Sequence, residues 1–248
     1  MKKTATLILT IALLATCTAA SALEGPTKYV SNVDTVQFGH YEQDNNPDNG
    51  PEPIRWIVLE ERDGKRLLFA KDLLDQHRYN TKYGLITWED CELRTWLNHD
   101  FLNTAFTEAE QAAILLTDVD NSHAQDDPSF RTTSGNDTQD KIFLRSFAEA
   151  NKYLGVTYEN GDNAEARVAP TAFAKGRRAW SKRELKTADG DYAGRWWLRS
   201  MGRHPNRAAH VHSTGALRDS HVTSYNHLFG VMTVRPALWV KAEAVSGK

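Results

Sequence analysis

The clearest pattern in the chain is strand-like alternation near its C-terminal end. Arg195-Trp196-Trp197-Leu198-Arg199-Ser200, Ala208-Ala209-His210-Val211-His212 and Gly230-Val231-Met232-Thr233-Val234-Arg235-Pro236-Ala237-Leu238-Trp239-Val240 are apolar runs separated by polar turns. Alternation sends the rings of Trp196 and Trp197 to opposite faces of a strand. Burying both rings needs cover on both faces, which predicts a central strand. Upstream, Val30 to Gln37 predicts a strand ending at Phe38-Gly39, and the Asn-, Asp- and Pro-rich stretch from Gln43 to Pro53 predicts a loop. Ile54 to Leu59 and Arg66 to Ala70 read as two strands, and Asp63-Gly64 between them is a strong hairpin signal.

Helical spacing begins after Thr87-Trp88-Glu89-Asp90, a variant capping box with Asp90 in the place usually held by Glu, and continues through Leu93, Trp96 and Leu97. Thr107-Glu108-Ala109-Glu110 is a full capping box that predicts a helix through Ala112, Ala113 and Leu116. Ser146-Phe147-Ala148-Glu149 is another, opening a helix to Leu154, with a short strand over Lys141–Leu144 before it. Asp118–Asp140 and Lys175–Gly194 are long and polar, and loops of such length in a compact domain are usually functional or mobile. The class is α+β, a mixed and mostly antiparallel sheet with several helices and long loops. Trp56, Trp96, Trp197, Leu198 and Val234 are the expected core.

The N-terminus changes the picture of compartment. Lys2-Lys3, an apolar run over Leu7–Ala15 and Ala20-Ser21-Ala22 have the order of a secretory signal peptide, expected over residues 1–22. The protein is then exported, to the periplasm or beyond the cell. Cys17 sits in a lipobox-like place, but Thr16 stands before it where Gly, Ala or Ser is usual. Removing Lys2 and Lys3 with the leader leaves 28 basic against 32 acidic residues, a net charge of −4 that argues against a general nucleic-acid binder. Cys91 is the one cysteine after the leader, so no internal disulfide can form and stability must come from the core. Residues 23–248 suffice for one sizeable core, a single domain. No stretch after residue 22 is long and apolar enough to span a membrane.

A set of segments in fixed order runs through most of the chain after the leader. They are Val36–Tyr41, Pro53–Leu59, Leu67–Ala70, Tyr79-Asn80, Thr87-Trp88 through Leu93–Asn98, Phe101-Leu102 to Ala105-Phe106, Asp140–Leu144, Pro170–Ala172, Trp196–Ser200 and Val234–Leu238. In this order the chain resembles the bacterial family of domain of unknown function 6273. More remotely, the Trp-rich strand, the Gly-centred hairpin and the final strand with an arginine resemble C-type-lectin-like modules. That superfamily includes the formylglycine-generating enzymes. The resemblance implies fold, and fold does not transfer function. Those enzymes use cysteines near the C-terminal part of the fold, and this chain has none there.

Candidate chemistry is sparse. Five of nine histidines, His204, His210, His212, His221 and His227, fall in one stretch. His210 and His212 share a face if extended, and a turn at Ser213-Thr214-Gly215 brings His221 back toward them. Imidazoles suit a transition metal, but a polar hairpin surface explains the same residues, and no His-Glu-x-x-His spacing is present. Asp44 to Gly50 resembles a calcium loop, yet its glycine is one place late and Arg55 stands where a bidentate Glu belongs; an Asx-turn loop accounts for it better. Cys91 lies among Glu89, Asp90 and Glu92, which oppose a thiolate. Arg199 and Arg235 lie in apolar strands, either as braces to carboxylates and carbonyls or as a clamp for a ligand carboxylate. The basic residues Arg177, Arg178, Lys182 and Arg183 read as a solvated loop.

These observations favour a non-catalytic binding module for a glycan or a protein, requiring no cofactor. Its ligand-contacting set would be Trp180, Tyr192, Arg199, His210, His212, Tyr225 and Arg235. A metal-dependent enzyme built on His210, His212 and His221 is the alternative from a different class, and a structural envelope component is the third reading.

Overall fold

The computed structural model describes residues 35–132, 135–158, 161–179, 181–223, 225–226 and 230–245, with nothing said of the side chains at 182–184, 225–226 and 230–231. The leader expected over residues 1–22 lies outside the described residues, as does the first part of the strand expected from Val30. Strand β1 (Thr35–Tyr41) pairs antiparallel with β2 (Glu52–Arg62), which turns at Asp63-Gly64 into β3 (Lys65–Ala70). Asp63 and Gly64 have φ of 49° and 70°. That pair of positive values is what a two-residue hairpin loop needs to match strand twist. β1 does not end at Phe38-Gly39 but runs through it on a register shift. Gly39 has φ of 70°, and a Cβ there would lie 2.5 Å from the Phe106 ring, so no other residue fits the bulge.

The chain continues through β4 (Asp75–Gln76), α1 (Glu92–Trp96), a π turn over Leu97–Phe101, α2 (Leu102–Ala105) and α3 (Glu108–Ala113). β5 (Thr117–Val119) pairs with β6 (Thr138–Asp140) and closes the base of the first long polar segment. After α4 (Phe147–Leu154) and α5 (Ala172–Gly176) come β7 (Ser181–Lys186) and β8 (Tyr192–Gly194), a hairpin within the second long polar segment. Then follow β9 (Trp196–Met201), β10 (Arg207–Val211), β11 (Leu217–His221), β12 (Tyr225–Asn226), β13 (Gly230–Val231), β14 (Thr233–Val234) and β15 (Ala237–Lys241). One sheet has the order β1-β2-β3-β15 and another β11-β10-β9-β14-β4. All the named strand pairs are antiparallel except β9 with β14. The fold is thus mixed helix and sheet, mostly antiparallel, with few and short helices.

β9 has neighbours on both sides, β10 and β14, as expected for the paired tryptophans. Trp196 meets Phe69 of the first sheet edge-on at 5.8 Å, and Trp197 meets Tyr79 on the other face at 5.6 Å. Both are fully buried, with Trp56, Leu198 and Val234, in one hydrophobic cluster that takes residues from both sheets. Burying a side chain of this size stabilises by about 1.5–3 kcal/mol.

Four local expectations need correction. The helix after Thr87 begins later than the Thr87–Asp90 box predicts and is capped by Cys91, whose Sγ accepts from Arg94 N at 3.4 Å. Trp96 is half-buried rather than buried, stacked on His77 at 4.8 Å. α3 ends at Ala113, short of Leu116, because Ile114 bridges to Val240 and Leu115 N donates to Trp239 O. Lys141–Leu144 forms no strand of its own, only a bridge from Phe143 to Ala237. Both full capping boxes form as expected, at Thr107/Glu110 and at Ser146/Glu149.

Candidate functional site

The β7–β8 turn covers a cavity of about 580 Å³. Its far wall is the segment from Ala164 to Ala169, begun by a 3-10 turn over Ala164–Ala166 that Asn163 caps through its side chain. Three backbone hydrogen bonds fix these walls. Leu73 N donates to Ala169 O, Gly194 N to Val168 O, and Thr187 N to Asp191 O across the turn. Arg167 Nη1 adds a bond to Lys186 O at 3.1 Å and so joins one wall to the other. Lys71 and Asp72, just after β3, form the side, and Arg235 enters from between β14 and β15.

Four cationic and four acidic side chains line this space. Lys71 Nζ lies 3.6 Å from Asp189, Asp72 pairs outward with Arg55 at 2.7 Å, and Arg167 pairs with Asp162. Arg235 is 1 % exposed and Arg167 has 12 % of its side chain exposed, Lys71 and Asp72 are half-buried, and Lys186, Glu165, Asp189 and Asp191 are exposed. Arg235 donates from Nε to Ala70 O at 2.9 Å, with its guanidinium 4.0 Å over Phe69 and 5.1 Å from Trp196. Arg167 Nε and Thr187 Oγ1 are buried polar atoms with no hydrogen-bond partner. Such atoms are uncommon in folded proteins and each calls for an explanation.

The residues singled out from sequence do not gather at one place. Arg235 lines the cavity, and Tyr192 stands beside it at the start of β8, with Lys186 Nζ 4.8 Å over its ring. Trp180 lies outside the described residues, and so does the side chain of Tyr225. Arg199 is a brace. It donates to Asn121 Oδ1, Leu144 O, Asp120 O and both oxygens of Glu149, at 2.5 to 3.3 Å. A guanidinium has five N–H groups, so the protein itself takes every one, and Arg199 leaves the ligand-contacting set. Burial alone would raise the Glu149 carboxyl; the charges of Arg199 and then Arg145 more than offset this and hold it at about 2.

The histidines are separated by the β10–β11 register. His210 pairs with Arg218, while His221 pairs with Arg207 at the other end of the hairpin. His210 is buried beside Trp197, at 6.0 Å, and its Nδ1 has no partner. Burial, followed by the charges of Arg195 and His212, pushes its pKa well below the ordinary imidazole value. His212 is half-buried and turned into its own loop, with Nδ1 3.1 Å from Thr214 Oγ1. His221 is exposed against Tyr83, and His204 is exposed; His227 lies outside the described residues.

Among the described residues, the one group of carboxylate, thiol or imidazole ligands that approach within 4.8 Å of one another is Glu42, Asp44 and Glu52. Only Asp44 belongs to the Asp44–Gly50 loop first compared with a calcium site; Glu42 and Glu52 flank that loop. The oxygens of this group already accept from Gln43 N, Asn46 N and the Asn49 side chain, the pattern of an Asx-turn loop. Cys91 is buried, and burial pushes its thiol up to about 12.

Sequence reasoning marked two parts of the cavity, Arg235 and the polar segment from Lys175, without connecting them. It missed Arg167, Lys71 and Asp72. The one available signal was an arginine in an apolar strand together with a long charged segment preceding that strand. The model of the family described as domain of unknown function (DUF6273) matches residues 63–242, a span that contains every residue lining the cavity. No curated protein and no solved structure matches the chain.

Proposed function

The chain belongs to the DUF6273 family, and from that premise, which carries kinship and no activity, we propose that it is an exported, non-catalytic binding module for a glycan. One observation carries the reading: the cavity under the β7–β8 turn. Its volume of about 580 Å³ falls within the roughly 300–1,000 Å³ range of small-ligand sites. A protein partner would use a broad, flatter surface of about 800 Å² per side. A wall of mixed charges and a hydroxyl suits a ligand covered in hydroxyl groups, and Tyr192 offers an aromatic face beside it. The C-type-lectin-like reading of the fold rests on the Trp-rich β9, the β10–β11 hairpin turned at Gly215 and the return of β15 to β3.

A glycan array probed with the protein lacking residues 1–22 tests the binding claim. A saccharide hit is expected, and Ala188→Trp should abolish it, because Ala188 is exposed on the turn and a large ring there fills the cavity without disturbing the core. A hit that Ala188→Trp leaves untouched refutes the assignment of the site, and an array with no hit refutes the glycan. Export is tested separately. N-terminal sequencing of the protein from its source should read Leu23 first; Met1, or a lipid on Cys17, contradicts it.

A further inference from the structure

We infer that the turn between β10 and β11, residues 212–216, positions one wall of this cavity, and that His212, Thr214 and Gly215 set the affinity for the saccharide without touching it. The affinity part rests on the glycan reading above; the positioning of the wall stands without it. None of residues 212–216 lines the cavity. Turn and wall meet at Asn163, the residue that caps the 3-10 turn at the start of the wall. Asn163 N donates to Thr214 O at 2.7 Å. Gly215 closes on the same residue. A Cβ there would overlap Asn163 O and lie 2.8 Å from its carbonyl carbon, and the φ of Gly215 is 85°. Only glycine satisfies both the conformation and the approach.

Asn163 hands its position on. Its Oδ1 accepts from Glu165 N at 3.2 Å and its main-chain oxygen from Ala166 N at 3.3 Å. Ala164, Glu165, Arg167, Val168 and Ala169, all of which line the cavity, follow within six residues. Bonds to Val168 O and Ala169 O hold the far end of this wall. The near end depends on Asn163, tied to the turn and, through Nδ2, to Leu154 O at 2.8 Å. Within the turn, His212 holds Thr214. Thr214 N donates to His212 Nδ1 at 3.3 Å, and Thr214 Oγ1 lies 3.1 Å from the same nitrogen. The coupling therefore runs through one contiguous set of bonds, His212 to Thr214 to Asn163 to the wall. Groups that bind a ligand must be held within about 0.5 Å of their productive places, so a displaced Asn163 costs affinity.

The test compares Gly215→Ala with Gly64→Ala. Both glycines have positive φ, 85° and 70°, so both alanines carry the same kind of backbone strain, but a Cβ at Gly64 meets nothing within 4 Å. Amide NMR shifts and hydrogen exchange of residues 163–169 are read first without ligand, then affinity for the strongest saccharide of the array. Gly215→Ala should shift these amides, speed their exchange and weaken the saccharide about ten-fold or more, while Gly64→Ala leaves the amides in place and the affinity within about two-fold. His212→Ala should act in the same direction, and His212→Asn should restore the wall, because an Asn side chain accepts from the amide two residues on. This second pair carries the test if Gly215→Ala does not fold. Wall amides that none of the turn variants moves, or that Gly64→Ala moves equally, overturn the inference. Moved amides with unchanged affinity overturn its affinity part. Moved amides in a protein that binds no saccharide confirm the positioning of the wall and refute the glycan reading alone.

Discussion

His210 shows how a single residue's surroundings set its chemistry. It lies within β10, with Trp197 at its edge, His212 at 6.5 Å and an Nδ1 that meets no partner. Burial is the first cause of its depressed pKa; Arg195, His212 and Arg218 add to it and Asp219 opposes it. A proton is thus taken up by the unfolded chain before the folded one. His210 contributes stability that is complete above about pH 6.5, the unfolded imidazole value, and is lost as pH falls below it. The slope from this one residue is at most about 1.4 kcal/mol per pH unit. Asp126 has the opposite sign. Burial raises it to about 6 from its ordinary 3.8, so it favours the folded state as pH falls through that window. The two must be separated by difference. Urea denaturation from pH 7.5 to 5 should show wild type losing stability relative to His210→Gln as pH drops; parallel curves would mean His210 is not buried neutral.

Between elements, Arg199 does what no backbone hydrogen bond can. Its guanidinium joins β9 to the capping box of α4 through Glu149, to Asn121 and Asp120 in the first long polar segment, and to Leu144. Removing one partner of a buried ion pair costs about 3–5 kcal/mol, because the other charge stays buried. Arg199→Met is therefore expected to destabilise by about that much, and Arg199→Met with Glu149→Leu to lose less than the two single changes together. Equilibrium unfolding of the four proteins checks this, and additive losses would show that the pair is not coupled. At this scale much was legible. Asp63-Gly64 and the two capping boxes are local signals, complete within four residues, and each forms. The tryptophan pair announced a central strand because two adjacent large rings admit few other solutions. β7 was not legible, because Ser181–Lys186 holds one apolar residue, Leu185, and shows no alternation. α1 was misplaced at its start because the capping side chain is a cysteine, and Leu116 was misassigned because a bridge to β15 overrides helical spacing.

At the scale of the whole molecule, the sheets bring together segments far apart in the chain. The cavity is made from four of them: Lys71-Asp72, Ala164–Ala169, Lys186–Asp191 and Arg235. None carries a recognisable motif, and their proximity depends on β8 bonding to Val168 and on Leu73 bonding to Ala169. This is why the architecture could be read from the pattern of residues and the site could not. The histidine stretch misled for the same reason in reverse. Its members are close in sequence, but the hairpin register places His210 in the core and His221 at an exposed end. Among the described residues no helix is long and apolar enough to cross a membrane.

The central claim is that a saccharide occupies the space beneath the β7–β8 turn. A crystal structure of the protein with the strongest array ligand tests it most directly. The account predicts sugar density between the Thr187–Asp191 turn and the Ala164–Ala169 wall, in contact with Arg167 and within reach of Arg235. Density on the β10–β11 hairpin, beside His212 at its turn or His221 at its other end, with the cavity holding solvent alone, would contradict it.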